Sequence, residues 1–369
     1  MTEKLIDLRS DTVTRPTPAM RAAMAQAAVG DDVFHEDPTT NELQEILADI
    51  LGKEAALYVP SGTMSNQIAV RLHCRPGEEL LCESGCHIYN YEQGAYAQLS
   101  GVVARPITGR YGIFQTEQLQ GMIRPEDEHL VRTRLVCLEN THNRGGGRVW
   151  PYETLSEVCR WAHQHGLRTH LDGARLFNAV VASGIPARQW AQHFDTVSVC
   201  FSKGLGAPVG SALAGPKDLI YEARRHRKLF GGGMRQCGVI AAGALYALQH
   251  HVERLAQDHQ NAQVLARGVA QIPGLELDPP KVHTNIVIFR VAPELATAEV
   301  LVELLAQQGV LMIPFGTHSI RAVTHLDVDG GDVERAVAIL GEVVDQLHRR
   351  PQPQASGSSH AYGSNPSNE

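Results

Sequence analysis

Leu43, Ile46, Leu47, Ile50 and Leu51 recur at helical spacing and predict a helix over 41–51. Thr39-x-x-Glu42 has the form of a capping box at its start, and Gly52 is a stop. From there to about residue 215, short apolar runs alternate with helical stretches. Runs at 55–59, 79–82, 102–107, 135–138, 167–171 and 196–201 predict strands, and 64–73 and 153–165 predict helices between some of them. This βαβ alternation predicts an α/β fold with a mostly parallel sheet flanked by helices, and with ligands at the carboxyl ends of its strands. Residues 237–270 are helix-compatible throughout but too long for one surface helix, which predicts a broken or bent one closed by Pro273-Gly274. A second unit follows, with strands at 284–290, 310–313 and 320–324 and helices at 297–308 and 332–347. This pattern predicts a smaller C-terminal α+β domain.

The organisation expected is an N-terminal arm and active-site segment over 1–40, a large α/β domain over 41–250, a small domain over 251–350 and a tail over 351–369. The tail is rich in Pro, Ser, Gly and Asn without apolar periodicity, so it is expected to be disordered. There is no internal repeat.

A chain of 369 residues, 43% hydrophobic and 20% charged, can bury a large core. Its net charge of -7 gives no electrostatic footprint for nucleic acid, and the basic run 224–228 is too short to change that. No apolar run has signal-peptide length or the length of a membrane span, so a cytoplasmic protein is expected, without membrane or nucleic-acid partners. Seven scattered cysteines fit a reducing compartment better than a disulfide framework. Cys82-x3-Cys86-His87 resembles part of a zinc site, but no second pair follows at finger-like spacing, and no metal is expected.

Candidate chemistry centres on one of six lysines. Lys203 follows the apolar Val197, Val199 and Phe201, whereas the other five lie in polar settings. A strand ending there would set its amine at a cleft, where desolvation makes it a nucleophile towards carbonyls. Asp172, 31 positions earlier, and Arg175 follow another predicted strand and could serve a pyridoxal ring at its nitrogen and its phenolic oxygen. Ser61, Gly62 and Thr63 link a strand to a helix, an arrangement suited to a phosphate. Arg144-Gly145-Gly146-Gly147 reads as a loop, not a nucleotide motif.

Ten segments then carry a resemblance that spans most of the chain. They are 7–14 (DLRSDTVT), 30–33 (GDDV), 36–39 (EDPT), 61–67 (SGTMSNQ), 87–89 (HIY), 139–143 (ENTHN), 170–175 (HLDGAR), 202–210 (SKGLGAPVG), 231–236 (GGGMRQ) and 321–325 (RAVTH). Together they resemble the low-specificity threonine aldolases, pyridoxal-phosphate enzymes of the aspartate-aminotransferase type of fold. The resemblance implies that Lys203 carries the cofactor, Asp172 pairs with its ring nitrogen, Arg175 meets its phenolic oxygen and His87 stacks on its ring. Gly62 and Thr63, beside Ser61, would hold the phosphate, with Lys228 and Arg235 arriving from a neighbouring subunit. Ser10 and Arg321 would grip the carboxylate of an amino-acid substrate, and His129 resembles a second histidine near the substrate side chain.

The resemblance further implies retro-aldol cleavage of β-hydroxy-α-amino acids to glycine and an aldehyde, with His87, His129 or a water as base. A dimer is the least assembly expected and a tetramer the one the family suggests. Simpler readings stay open at several positions: Ser10 as a turn cap, His129 as a surface histidine, and Arg321 as a partner of Asp327 or Asp329. A β-eliminating lyase, racemase or transaminase would need the same Lys203 and Asp172, and a non-catalytic binding protein could keep the fold. Where the family usually carries Val-Tyr-Gly-Glu-Asp-Pro, this chain has Val33-Phe34-His35-Glu36-Asp37-Pro38, which draws attention to the side-chain pocket.

Overall fold

A computed structural model describes residues 4–349; the expected tail lies outside them. The chain opens with a short strand, β1 (Ile6–Asp7), and a one-turn helix Asp11–Val13 capped by Ser10. The central sheet is built from β2 (Ala55–Val59), β3 (Glu78–Glu83), β4 (Val103–Ile107), β5 (Arg132–Glu139), β6 (Arg168–Gly173), β7 (Thr196–Cys200) and β8 (Ser211–Gly215). Their order is β2-β8-β7-β6-β5-β3-β4. Contacts among β7, β6, β5, β3 and β4 are parallel, while β8 is antiparallel to both its neighbours. All strands but β8 therefore run the same way and end on one edge. All the sheet strands but the edge strand β4 are buried along most of their length, as expected for a sheet covered by helices on both faces.

The helix at 41–51 begins earlier than expected, at Pro38. Its cap is Asp37, whose Oδ1 accepts from Thr40 N at 2.9 Å, so Thr39-Glu42 is not the capping box. Pro at the first helical position costs no hydrogen bond, and Gly52, with φ +62°, ends the helix as expected. The long helical stretch is broken into Gly238–His250 and Leu255–Val269. Several further elements carry no expectation above, among them β8 and the helix Lys217–Leu229.

The second sheet contains β9 (Leu275–Leu277), β10 (Ile286–Val291), β12 (Ile313–Gly316) and β13 (Ser319–Val323), antiparallel in the order β12-β13-β10-β9; β11 (Val310–Leu311) instead pairs parallel with β1. Helices Ala298–Gln307 and Gly330–Arg349 cover it, the latter burying Val333, Ala336, Leu340, Val343, Val344 and Leu347. Ile6 and Leu8 join this core, so the start of the N-terminal arm is packed into the C-terminal unit. Leu255 belongs to the large core, while Ala262, Leu265 and Val269 of the same helix belong to the small one.

Candidate active site

The carboxyl edge of the large sheet gathers many of the residues singled out above. Strand β6 ends at Asp172-Gly173, β7 ends just before Lys203, β5 ends at Glu139, and β2 leads through Ser61 into the helix Gly62–His73. Because β8 alone is reversed, β2 delivers its end to the same edge as β6 and β7, and the phosphate-type turn lies beside the lysine loop. The chemistry depends on that placement.

Asp172 is buried. Its Oδ2 accepts from Asn66 Nδ2 at 2.9 Å and its Oδ1 from the amide of Ala174 at 3.1 Å. Burial alone would raise this carboxyl, but the charges of His87 and Lys203 hold it below the ordinary carboxylate range. Lys203 is half-buried, and its amine makes no hydrogen bond among the described residues. The Lys203 carbonyl is held instead, accepting from Thr14 Oγ1 at 3.2 Å.

His87 begins the short helix His87–Asn90. Its backbone amide donates to Glu139 Oε2 at 2.7 Å, and its ring Nδ1 lies 2.8 Å from Glu92 Oε1. Burial would lower this imidazole, but the bond to Glu92 and the charges of Asp172 and Glu139 raise it above its ordinary value. Donor atoms of His87, Glu92 and Asp172 lie within 4.8 Å of one another, a spacing that a cation could also use. Asn66 already occupies that junction, donating to both carboxylates at 2.8 and 2.9 Å.

At the helix Gly62–His73, Ser61 Oγ caps Met64 N at 3.2 Å. The amides of Gly62 and Thr63 have no acceptor among the described residues, as expected at a helix start. A Cβ built on Gly62 would fall 2.7 Å from Cys200 Sγ, so only glycine lets this helix approach β7 so closely. Arg175 is buried and donates from Nε and Nη2 to Asp11 at 2.7 and 2.6 Å. Burial would raise Asp11, and Arg175 overrides it, holding that carboxyl far below the usual range. Both hydrogens of Arg175 Nη1 and the second hydrogen of Nη2 are left to meet a ligand.

Arg321, on β13, reaches across from the small sheet. Neither Asp327 nor Asp329 is its partner: Nη1 donates to Asn143 Oδ1 at 3.0 Å and Nη2 to the Arg9 carbonyl at 3.2 Å. Its Nε is buried with no partner. Ser10 follows Arg9 directly, and its Oγ lies 2.8 Å from Thr12 Oγ1 and caps Thr12 N at 3.2 Å. His87, Tyr91, Asn143, Arg144, Ile313, Pro314, Phe315 and Arg321 line a cavity of about 420 Å³. A larger cavity of about 1200 Å³ opens beside the amino ends of β3 and β5 and contains none of these groups.

His129 is not brought to the site within one chain. It lies in the loop that enters β5, at the amino end of the sheet, with its ring exposed and its Nδ1 2.8 Å from Asp127 Oδ1. Six to eight residues of strand separate the two edges, roughly 20 Å or more. Lys228 and Arg235 are also exposed, the latter 3.7 Å from Asp31. Phe34 and His35 are exposed as well and do not line the cavity of their own chain.

Glu92, Asn66, Glu139, His142 and Asp11 are site residues to which the sequence assigned no role. All but Glu92 lie inside the segments that carried the resemblance. His142 is buried, 3.0 Å from Glu83 Oε2. Burial would lower it, and the Glu139 and Glu83 carboxylates raise it.

An unpaired amine, a buried ionised carboxylate, free amides at a helix start and an arginine with an unsatisfied buried donor fit pyridoxal phosphate and an amino-acid carboxylate. Comparisons with known proteins agree with this reading. The family model for beta-eliminating lyases matches residues 7–292. The chain is 44% identical over 349 residues to low-specificity L-threonine aldolase 1 of Arabidopsis thaliana, covering 93% of this chain and 98% of that one. It is also 44% identical over 325 residues to the low specificity L-threonine aldolase of Escherichia coli K12, covering 88% and 95%. Among solved structures, Leishmania major threonine aldolase superposes with a TM-score of 0.78 at 21% identity, covering 92% of this chain and 99% of that one. The chain belongs to the beta-eliminating lyase family and, within it, to the low-specificity L-threonine aldolases.

Proposed function

We propose that this protein is a carbon–carbon lyase that uses pyridoxal phosphate to cleave L-threonine, L-allo-threonine and related β-hydroxy-α-amino acids to glycine and an aldehyde. The observation that carries the reading is the unbonded Lys203 amine beside buried, ionised Asp172, on the edge to which Arg321 presents an unpartnered Nε. Lys203 would hold the cofactor, Asp172 would keep its ring nitrogen protonated, and Ser61, Gly62 and Thr63 would hold its phosphate. When bound, the cofactor supplies the sink for the electrons of the breaking Cα–Cβ bond.

The chain's own residues supply orientation and proton transfer. Arg321 and Ser10 bind the α-carboxylate, which fixes the direction of the Cα–Cβ bond. His87 takes the β-hydroxyl proton as the C–O bond becomes the aldehyde carbonyl, and a proton returned to Cα completes glycine. His129 can contribute only to the site of another subunit. Lys228, Arg235 and the exposed Phe34 and Leu229 support an assembly of at least two chains, and we assign a tetramer. All seven cysteines are free and buried, which supports a reducing, cytoplasmic setting. Among the described residues no helix is long and apolar enough to cross a membrane.

Lys203→Ala should abolish the yellow absorbance of the bound cofactor and lower turnover of L-threonine by on the order of 10³-fold or more. Retention of both would overturn the reading. Products discriminate the chemistry: glycine plus aldehyde identifies the aldolase, whereas 2-oxobutyrate from threonine identifies elimination.

A further inference from the structure

We infer that Glu92 is the positioning residue that makes His87 a base, by fixing the proton on Nδ1 and leaving the Nε2 lone pair for the substrate hydroxyl. The inference rests on the reading of His87 given above. Glu92 is 2% exposed. It receives three hydrogen bonds: Oε1 from Asn66 Nδ2 and from His87 Nδ1, each at 2.8 Å, and Oε2 from Gln67 Nε2 at 2.6 Å. A carboxylate can only accept, so the imidazole nitrogen facing it carries hydrogen, and in the neutral ring the lone pair is then on Nε2.

The amide of Asn66 cannot turn over to relax this arrangement. Its Oδ1 lies 3.1 Å from Nε2 of buried His170, whose Nδ1 is 2.9 Å from Thr196 Oγ1; Thr196 Oγ1 is in turn 2.8 Å from His73 Nε2. Burial, together with nearby His73, pushes His170 down to about 3, so it stays neutral, donating from Nε2 while Nδ1 accepts from the threonine. Glu92 and Asp172 can only accept, so Asn66 Nδ2 faces them and its Oδ1 takes the Nε2 hydrogen of His170. A chain of buried polar groups running from β7 through β6 and the Gly62–His73 helix orients one imidazole at the cleft.

The charged groups facing His87 come from every neighbouring element. Glu92 lies on its own segment, Asp172 on β6 and Glu139 on β5, with the positive groups Arg144 in the loop after β5 and Arg321 on β13 in the same cavity, and Lys203 after β7 acting with His87 on Asp172. Of the three carboxylates, only Glu92 bonds the ring. Asp172 faces the position assigned to the cofactor nitrogen, and Glu139 is occupied by the backbone amides of His87 and Asn143.

Glu92→Gln removes the charge while keeping the packing. Gln67 Oε1 is buried without a partner, so a turn of that amide would accept the new amide hydrogens. The test combines two readouts. Ring-labelled apoprotein, with His87→Asn to assign the resonance, gives the His87 titration by NMR; the pH dependence of kcat/KM for L-threonine is then measured on the loaded enzyme. In Glu92→Gln both the titration and the acid limb should move down by about one pH unit. Glu92→Ala should lower kcat/KM by about 10- to 100-fold, as for loss of an orienting partner, with the cofactor absorbance retained. An unchanged His87 titration in Glu92→Gln overturns the inference. A shifted titration with an unshifted rate profile upholds the control of His87 by Glu92 and instead overturns His87 as the base.

Discussion

Arg321 has five donor hydrogens, and two of its nitrogens bond to Asn143 and the Arg9 carbonyl while the buried Nε bonds to nothing. A buried unsatisfied donor costs free energy, so a ligand carboxylate that completes the fork gains more here than at a solvated arginine. Arg321→Lys keeps the charge but loses the fork. It should raise KM for L-threonine roughly 10- to 100-fold and also lower kcat, since the Cα–Cβ bond is then held less firmly in line, checked by steady-state kinetics at saturating cofactor. Lys203, Asp172 and Arg321 were legible as residues because each closes or sits within a recognisable segment. Glu92 was not. It lies five positions after His87, a spacing with no helical or strand meaning, and the contact exists because the chain turns after a single helical turn at Asn90. His129 is a different case: its local sequence matches, but within one chain strand direction carries it to the far edge of the sheet.

Among the elements, the helix Gly62–His73 positions the most chemistry, with Ser61, Gly62 and Thr63 at its start and Asn66 and Gln67 one turn on. Gly62 is not there for backbone freedom; the constraint is Cys200 Sγ, 2.7 Å from where a Cβ would lie. Gly62→Ala should weaken cofactor binding and lower the melting temperature, and adding Cys200→Ala should recover part of both, a coupling that a double-mutant cycle measures. Strand boundaries were readable to within one to three residues where apolar runs were continuous, as in β2, whose expected and observed limits agree. Strand β8, Ser-Ala-Leu-Ala-Gly, has small residues and no alternation, so nothing marked it locally; it is a strand because β2 and β7 pair with it on either side. The start of the helix at Pro38 was missed for a different reason: Asp37 and Thr39 are both competent caps, and the choice falls to Asp37, whose Oδ2 also receives Gly30 N at 3.2 Å and Gly238 N at 3.0 Å.

For the whole molecule, buried titratable groups set the response to acid. Among the described residues His73, His170, His193, His226, His251, His259 and His283 are held below their ordinary value by burial, His73 at about 4 and His170 at about 3. Of the histidines among the described residues, only His87 and His142 are raised. A depressed histidine binds protons in the unfolded chain before it does in the folded one. Its contribution to stability is therefore complete above about pH 6.5 and is lost as pH falls through the folded value; the raised pair act oppositely. With seven against two, denaturation midpoints in urea should fall steadily between about pH 7 and about pH 5, before the depressed carboxyls of Asp11 and Asp172 begin to titrate. Assembly is testable at the same scale. If Arg235 completes the partner's site, Lys203→Ala and Arg235→Ala proteins should each be inactive alone, yet regain roughly a quarter of wild-type activity after mixing and reassociation, as random pairing predicts. No recovery would place Arg235 outside the partner's site. By itself the sequence determined the alternation of strands and helices and singled out Lys203, Asp172 and Arg321, because these depend on periodicity and on short segments with local meaning. Only the tertiary structure decided that Ile6 and Leu8 pack into the C-terminal core, that the reversed β8 sets the Ser61 turn beside Lys203, and that Glu92 rather than His129 stands with His87. Those contacts join residues far apart in the chain, and strand direction and pairing are settled by burial of the whole core, which no local window of sequence contains.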